Sequence, residues 1–200
     1  MAKTEQPDAA WSPNKTAGLE PLSVLGRFYE PGTSLYHLLV RHGRQVAAKS
    51  RRIAERLNDP AVDMDFIEEA ALLHDIGIIG VRAPDLGCTG GADYICHGVI
   101  GREMLESLGL ERHGRVCERH VGVGLTVADI RENDFPLPLR DMRPVSLEET
   151  IIAYADKFYS KHPTFSGREY LVEEVASHLS RYGRRPVRIF LAWAERFGDM

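Results

Sequence analysis

The residues of this chain that could do chemistry are centred on an adjacent histidine and aspartate, His74 and Asp75. They interrupt an otherwise apolar run, ALLHDIGII, at residues 71–79. Burying an imidazole and a carboxylate is costly unless another group pairs with them, and a metal ion is a common partner. A hydrogen-bonded His–Asp pair in the core is the other explanation of the dipeptide. The other residues of the chain must show whether the dipeptide belongs to a metal site or to a hydrogen-bonded pair in the core.

Four further residues of the same types lie among apolar residues that recur at helical spacing: His42, His97, His120 and Asp156. This spacing predicts that each points inward from a helix or lies at a helix end. Each has an ordinary explanation when taken alone, such as an ion pair for a buried aspartate. Six such groups on five helices have no ordinary joint explanation. Imidazole and carboxylate ligands suit Fe, Mn, Co, Ni or Zn, and six exceed the needs of one catalytic ion. We therefore expect two divalent metals about 3.5–4 Å apart, with a bridging carboxylate.

The elements that position these residues are predicted to be helices throughout. Apolar periodicity and capping signals place helices at 34–57, from about 65 to 77, 94–108, 112–120 and 126–133, and from residues 146, 166 and 186 onwards. Thr33 or Ser34 is expected to cap the first of these and Asp63 or Asp65 the second, which Gly77 is expected to end. We find no alternating strand pattern, repeat or linker, so the prediction is a single all-α domain, a bundle of about six to eight helices.

The domain organisation follows from composition along the chain. Residues 1–20 are polar and aperiodic, which predicts a flexible tail and no signal peptide. Residues 21–200 form the predicted domain, with a ligand-bearing core at about 34–161 and C-terminal helices at 166–198. The glycine- and proline-rich stretch 82–92 is expected to be a lid or substrate-contacting loop. His113, near the start of its helix, is expected to be a surface or capping residue.

Overall composition excludes several classes of function. The formal charge is −4, which argues against a dedicated nucleic-acid surface. Three cysteines without a CxxC pair indicate reduced thiols and a cytoplasmic protein, and no stretch is long and apolar enough for a membrane span. Cys96, His97, Cys117 and His120 could instead form a structural zinc site, but adjacent residues diverge on a helix, which disfavours it.

The motif HDIG resembles the signature of the HD-domain metal-dependent phosphohydrolases, and the likeness covers about residues 34–161. The residues that match the H…HD…D pattern of this superfamily are His42, His74, Asp75 and Asp156. His97, within HGVIG, and His120 are similar to the two extra histidines of its dinuclear members, and ADK at 155–157 looks like its closing motif. The resemblance implies that Asp75 bridges the two metals.

The activity that this resemblance implies is hydrolysis of a phosphate ester or anhydride in a small, nucleotide-type substrate. Asp75 and Lys157 are the candidate catalytic residues, and the candidate phosphate contacts are Arg82, Arg102, Arg143 and Lys157. Symmetric dinucleoside-polyphosphate hydrolase and 5′-nucleotidase remain open alternatives, as does a non-catalytic HD-like scaffold or signalling module. The chain lacks a GYP extension and has Val121, not a second histidine, after His120. Both departures count against a cyclic-dinucleotide phosphodiesterase.

Overall fold

The computed structural model describes residues 19–162 and 167–199. Within them the chain forms nine α-helices and one ribbon of two short antiparallel strands, β1 (Arg82–Ala83) and β2 (Cys88–Thr89). The helices are α1 (Pro21–Leu25), α2 (Ser34–Leu57), α3 (Met64–Leu73), α4 (His97–Glu106), α5 (Glu111–Arg119), α6 (Val127–Glu132), α7 (Leu147–Asp156), α8 (Val172–Leu179) and α9 (Arg184–Arg196). The predicted all-α class is confirmed, although the described part holds more helices than the six to eight expected.

The helix starts that depend on local capping are where the sequence predicts them. The side chain of Thr33 accepts a hydrogen bond from the N–H of Tyr36 at the start of α2, and that of Asp63 does the same for Phe66 at the start of α3. α6 and α7 each begin with a capping box, in which cap and third residue satisfy each other's backbone N–H groups. These caps set the starts of four helices, and three of them, α2, α3 and α7, carry candidate ligands or end next to them.

Two large apolar cores and a small third one hold the described helices together, and the His74–Asp75 pair lies where the two large cores meet. The larger core is built from α2, α3 and α7–α9, and includes an aromatic group in which the rings of Phe158 and Phe197 pack edge-on to Tyr154, with centroids 4.9 and 5.2 Å away. The smaller core is built from α1, the first half of α2 and the segment after α3. Ala71 belongs to the larger core whereas Leu73 and Ile76 belong to the smaller one, so the polar pair is enclosed from both sides.

The prediction that Gly77 ends the helix preceding the His74–Asp75 pair, which is α3 in the structure, is wrong. α3 ends at Leu73, and Gly77 lies within a 3-10 helix, Ile76–Gly80, that runs across α4. A Cβ atom on Gly77 would lie 2.1 Å from the carbonyl oxygen of His97 and 2.3 Å from the backbone N of Gly101. The glycine is therefore required by a backbone-to-backbone contact, which a helix-ending signal does not reveal.

The C-terminal region also differs from the prediction. Ser166 lies outside the described residues, and residues 168–171 are not helical, so α8 begins only at Val172. Glu169, expected in the first turn of this helix, instead accepts a hydrogen bond of 2.9 Å from the buried Lys49. A buried ammonium strongly favours a nearby carboxylate, which overrides the local capping signal.

Most of the predicted N-terminal tail, residues 1–18, also lies outside the described residues. The loop 82–92 forms the β1–β2 ribbon with a 3-10 turn, Pro84–Leu86, between the strands. Its role as a lid or substrate contact stays a prediction. None of the helices in the described ranges combines the length and apolarity that a membrane crossing requires.

Candidate metal centre

The six side chains predicted as metal ligands converge in the structure. Their ligand atoms fall into two groups, and within each group all the atoms lie within 4.8 Å of one another. The first group is His42, His74, Asp75 and Asp156, and the second is Asp75, His97 and His120. All six side chains are buried, with at most 6% of any residue exposed.

Asp75 belongs to both groups, and its two oxygens divide between them. Oδ2 lies 3.3 Å from Nε2 of His42 and 3.1 Å from Nε2 of His74. Oδ1 lies 3.6 Å from Nε2 of His97 and 3.5 Å from Nε2 of His120. A carboxylate that bridges two ions presents one oxygen to each, so this arrangement suits a dinuclear site.

Three of the histidines are oriented by their own backbone. Nδ1 of His74, of His97 and of His120 donates to the carbonyl oxygen three residues earlier, at 2.6, 2.6 and 2.7 Å. Because a carbonyl only accepts, the proton of a neutral ring is held on Nδ1 and the lone pair of Nε2 faces the cluster. Metal-binding histidines are commonly fixed in this way.

The Nε2 lone pairs of His97 and His120 therefore face each other without a proton between them. Nε2 of His97 and Nε2 of His120 are 3.2 Å apart. Burial lowers the pKa of His97 to about 3 and also lowers the pKa of His120, so both rings are neutral near pH 7. Two inward-facing acceptors at this distance repel unless a cation lies between them, so the pair fits a metal ion.

The carboxylates carry negative charge into the cluster. Burial alone would raise their pKa, but positive neighbours outweigh it: His74 and Lys161 hold the pKa of Asp75 well below its usual value, and Lys157 and Lys161 do so for Asp156. The negative charge of Asp75 in turn overcomes burial and raises the pKa of His74 to about 9. Among the described residues, Nε2 of His74 and both oxygens of Asp75 nevertheless have no partner with hydrogen-bond geometry, and their close neighbours are ion-pair contacts.

The spacings within the cluster match those of ligands around one ion. With metal–ligand bonds of about 2.1 Å, two ligands at octahedral or tetrahedral angles lie about 3.0–3.4 Å apart. Nε2 of His42 and Oδ1 of Asp156 are 2.9 Å apart, and Nε2 of His74 and the same oxygen are 3.4 Å apart. The residues therefore fit the divalent metals that their chemistry predicts.

A family model described as HD domain matches residues 39–160, more than half of the chain. The chain belongs to the HD domain family. Its helical fold and its buried histidine–aspartate cluster agree with the motif resemblance, and the clustered side chains could hold divalent metal ions.

Several known proteins are similar to parts of this HD domain protein. An uncharacterized protein of Methanocaldococcus jannaschii is 40% identical over 96 residues, which are 48% of this chain and 49% of the relative. A tRNA (cytidine(56)-2′-O)-methyltransferase of Picrophilus torridus is 31% identical over 124 residues, which are 62% of this chain and 32% of that protein. The chain thus spans half or less of these curated relatives. Among solved structures, the HD domain of L. monocytogenes phosphodiesterase PgpH is similar over 85% of this chain and 92% of that one, with 12% identity and a TM-score of 0.49.

Two lysines of the HD domain approach the cluster from outside, and they contact different carboxylate oxygens. Nζ of Lys161 is 2.8 Å from Oδ2 of Asp75 and 3.6 Å from Oδ1 of Asp156, the oxygens that face His42 and His74. Nζ of Lys157 is 2.7 Å from Oδ2 of Asp156 and donates to the carbonyl of His120 at 3.1 Å. Lys157 was among the predicted site residues. Lys161 was not, and its only sequence signal is the spacing DKxxxK after the closing aspartate.

The three arginines predicted as phosphate contacts lie elsewhere in ion pairs or on the surface. Arg102 pairs with Glu106 and the buried Glu118, and Arg143 pairs with Asp141. Arg82 is exposed in β1. Their contact with substrate stays a prediction, and the structure does not bring them to the six-residue cluster.

His113 is buried, so its predicted place at the surface is wrong. Its Nε2 lies 3.2 Å from a carboxylate oxygen of Glu69, and its ring packs edge-on against Phe66 with centroids 4.9 Å apart. Burial lowers its pKa to about 4. The alternative zinc site is not formed, because in the described part of the chain Cys96 and Cys117 belong to neither ligand group.

A cavity of about 340 Å³ opens beside the cluster. Its lining includes Asp156, Lys157 and Lys161, at the end of α7 and just beyond it. It also includes His178 from α8 and Arg181 from the turn after that helix. The cavity therefore adjoins the cluster at Asp156, and three of its lining residues, Lys157, Lys161 and Arg181, are positively charged.

Proposed function

We propose that this HD domain hydrolyses a phosphate ester or anhydride of a small, nucleotide-type molecule at a pair of divalent metal ions. The observation that carries the proposal is the division of the two Asp75 oxygens between two sets of histidines. Under this proposal one ion is held by His42, His74, Asp75 and Asp156, and the other by Asp75, His97 and His120.

The chemistry that divalent ions supply in such a site is Lewis acidity, which lowers the pKa of a bound water and offsets charge on phosphoryl oxygens. The protein's own contribution is orientation. The carbonyl contacts hold three imidazoles with Nε2 facing inward, and Lys157 holds Asp156 by the oxygen that the histidines do not use. Burial of the cluster excludes bulk water and strengthens each electrostatic contact.

Lys161 is the protein group best placed to meet a substrate phosphate. Its side chain is 14% exposed, borders the cavity and reaches the carboxylate oxygens of the cluster. An ion on those oxygens would repel the ammonium towards the cavity, where a phosphate would arrive. We therefore add Lys161 to Asp75 and Lys157 as a proposed catalytic residue.

Substrate class is tested by a screen of metal-reconstituted protein against nucleotides, dinucleoside polyphosphates and cyclic nucleotides, with Asp75→Asn as the matched inactive variant. We expect phosphate release from at least one nucleotide class that is lost in the variant and after chelation. Turnover confined to dinucleoside polyphosphates or to nucleoside monophosphates would select one of the two alternative enzymes. Metal-free protein without turnover would favour the scaffold and contradict the proposal.

Methyl transfer is not part of the proposal. The stretch that matches the Picrophilus torridus methyltransferase is 32% of that protein. The described side chains near the cluster are those of a metal site with cationic neighbours, which is the chemistry of phosphate binding.

A further inference from the structure

The cationic side chains that line the cavity beside the cluster differ in how their charges are balanced. Lys157 and Lys161, which we call the inner wall, contact the carboxylates of Asp156 and Asp75. Arg181, which with its neighbour His178 we call the outer wall, is exposed and makes no ion pair within residues 19–162 and 167–199. Its neighbour His178 meets Tyr170 edge-on, with ring centroids 5.1 Å apart. The outer wall therefore holds positive charge that the described protein leaves unbalanced.

The volume of the cavity limits the size of the ligand that it can bind. Small-molecule sites commonly have volumes of about 300–1,000 Å³, and 340 Å³ lies at the lower end of that range. A phosphoryl group at the cluster together with a second phosphate on the outer wall fits such a volume. A guanidinium binds phosphate oxygens through two parallel N–H donors, so Arg181 suits this second group.

We propose that the cavity binds a second phosphate of the substrate through Arg181, so that the substrate is a phosphate anhydride such as a nucleoside di- or triphosphate. This inference rests on the proposed function and narrows it, because a monophosphate ester would leave the outer wall without a partner.

The test compares binding of radiolabelled inorganic phosphate and inorganic pyrophosphate by equilibrium dialysis, at a fixed concentration of free divalent metal. Wild-type protein should bind pyrophosphate at least about tenfold more tightly than phosphate, because one additional charge-assisted hydrogen bond raises affinity by about that factor. Arg181→Gln should lose about tenfold in pyrophosphate affinity and keep its phosphate affinity. The matched control is Arg184→Gln, an exposed arginine that lines a different groove three residues further on.

The same proteins then provide a kinetic readout. Arg181→Gln should raise KM for a nucleoside diphosphate about tenfold and leave the KM for a monophosphate ester unchanged. Equal pyrophosphate affinity in wild type and Arg181→Gln, or an equal loss in Arg184→Gln, would overturn the inference while metal-dependent hydrolysis would still support the proposed function. Absence of both metal-dependent phosphate binding and hydrolysis would overturn the two together.

Discussion

Replacing Lys161 with methionine should make the protein bind divalent metal more tightly while it hydrolyses its substrate more slowly. Methionine keeps most of the apolar stem and removes the ammonium. That ammonium lies 2.8 Å from Oδ2 of Asp75 and 3.6 Å from Oδ1 of Asp156. These are the oxygens that face His42 and His74, so the lysine competes for them with an ion bound to the first ligand group.

The size of the effect follows from Coulomb's law. A divalent ion and an ammonium about 4 Å apart repel by about 8 kcal/mol at an effective dielectric of 20, so the lysine must withdraw when the ion binds. At a separation of about 8 Å the repulsion is about 1 kcal/mol at the dielectric of water and about 4 kcal/mol at 20. Since 1.4 kcal/mol corresponds to tenfold, Lys161→Met should tighten metal binding between roughly 5-fold and 1,000-fold.

The assay is a titration of metal-free protein with Mn²⁺, followed by calorimetry or by competition with a chelating dye. Lys157→Met is the matched control, because Lys157 contacts Oδ2 of Asp156, the oxygen that the histidines do not use. Loss of such an orienting contact typically weakens metal binding 10- to 100-fold and offsets the relief of repulsion, so Lys157→Met should tighten metal binding much less than Lys161→Met, or weaken it. Unchanged or weaker metal binding by Lys161→Met would refute the reasoning.

Three further outcomes are expected. Asp75→Asn should lose most bound metal and all hydrolysis while its circular dichroism stays helical, and full metal content by elemental analysis would remove its bridging role. His97→Ala should bring metal content down towards one ion per chain and slow hydrolysis strongly, whereas the exposed His37→Ala should keep both ions; equal loss in the two would contradict the assignment. Gly77→Ala should lower the free energy of unfolding by about 1–3 kcal/mol in urea titrations because its Cβ would overlap α4. Gly91→Ala, whose Cβ would meet nothing within 4 Å, should stay within about 0.5 kcal/mol of wild type, and similar losses in both would show that the contact is unimportant.

The convergence of the six candidate ligands could be predicted because each belongs to a regular helix or its end. Helical periodicity shows which side of α2 carries His42, and a local capping box sets the start of the helix that ends at Asp156. Periodicity contains no distances between helices, so the division of the Asp75 oxygens emerged only from the structure. The role of these residues as ligands stays a prediction that metal analysis must test.

Features that depend on tertiary contacts could not be predicted in the same way. Lys161 follows the end of α7, where no helical period indicates which way its side chain points. His113 has polar neighbours in sequence, yet α5 packs it against Phe66 and Glu69 of α3. The requirement for glycine at position 77 likewise comes from α4, which lies twenty residues further along the chain.

The contact of Gly77 with α4 has a consequence for ion selectivity. It joins the backbone next to Asp75 to the first turn of the helix that begins at His97, with no side chain between them to deform. The two halves of the cluster are therefore coupled through a stiff backbone junction, and their separation cannot easily adjust to the radius of the ion. Ions of different radius must instead be accommodated by tilting of the imidazole rings, which the carbonyl hydrogen bonds oppose. Larger ions such as Ca²⁺, which need longer bonds and more ligands, should be excluded by the rigidity of the scaffold as well as by the nitrogen ligands.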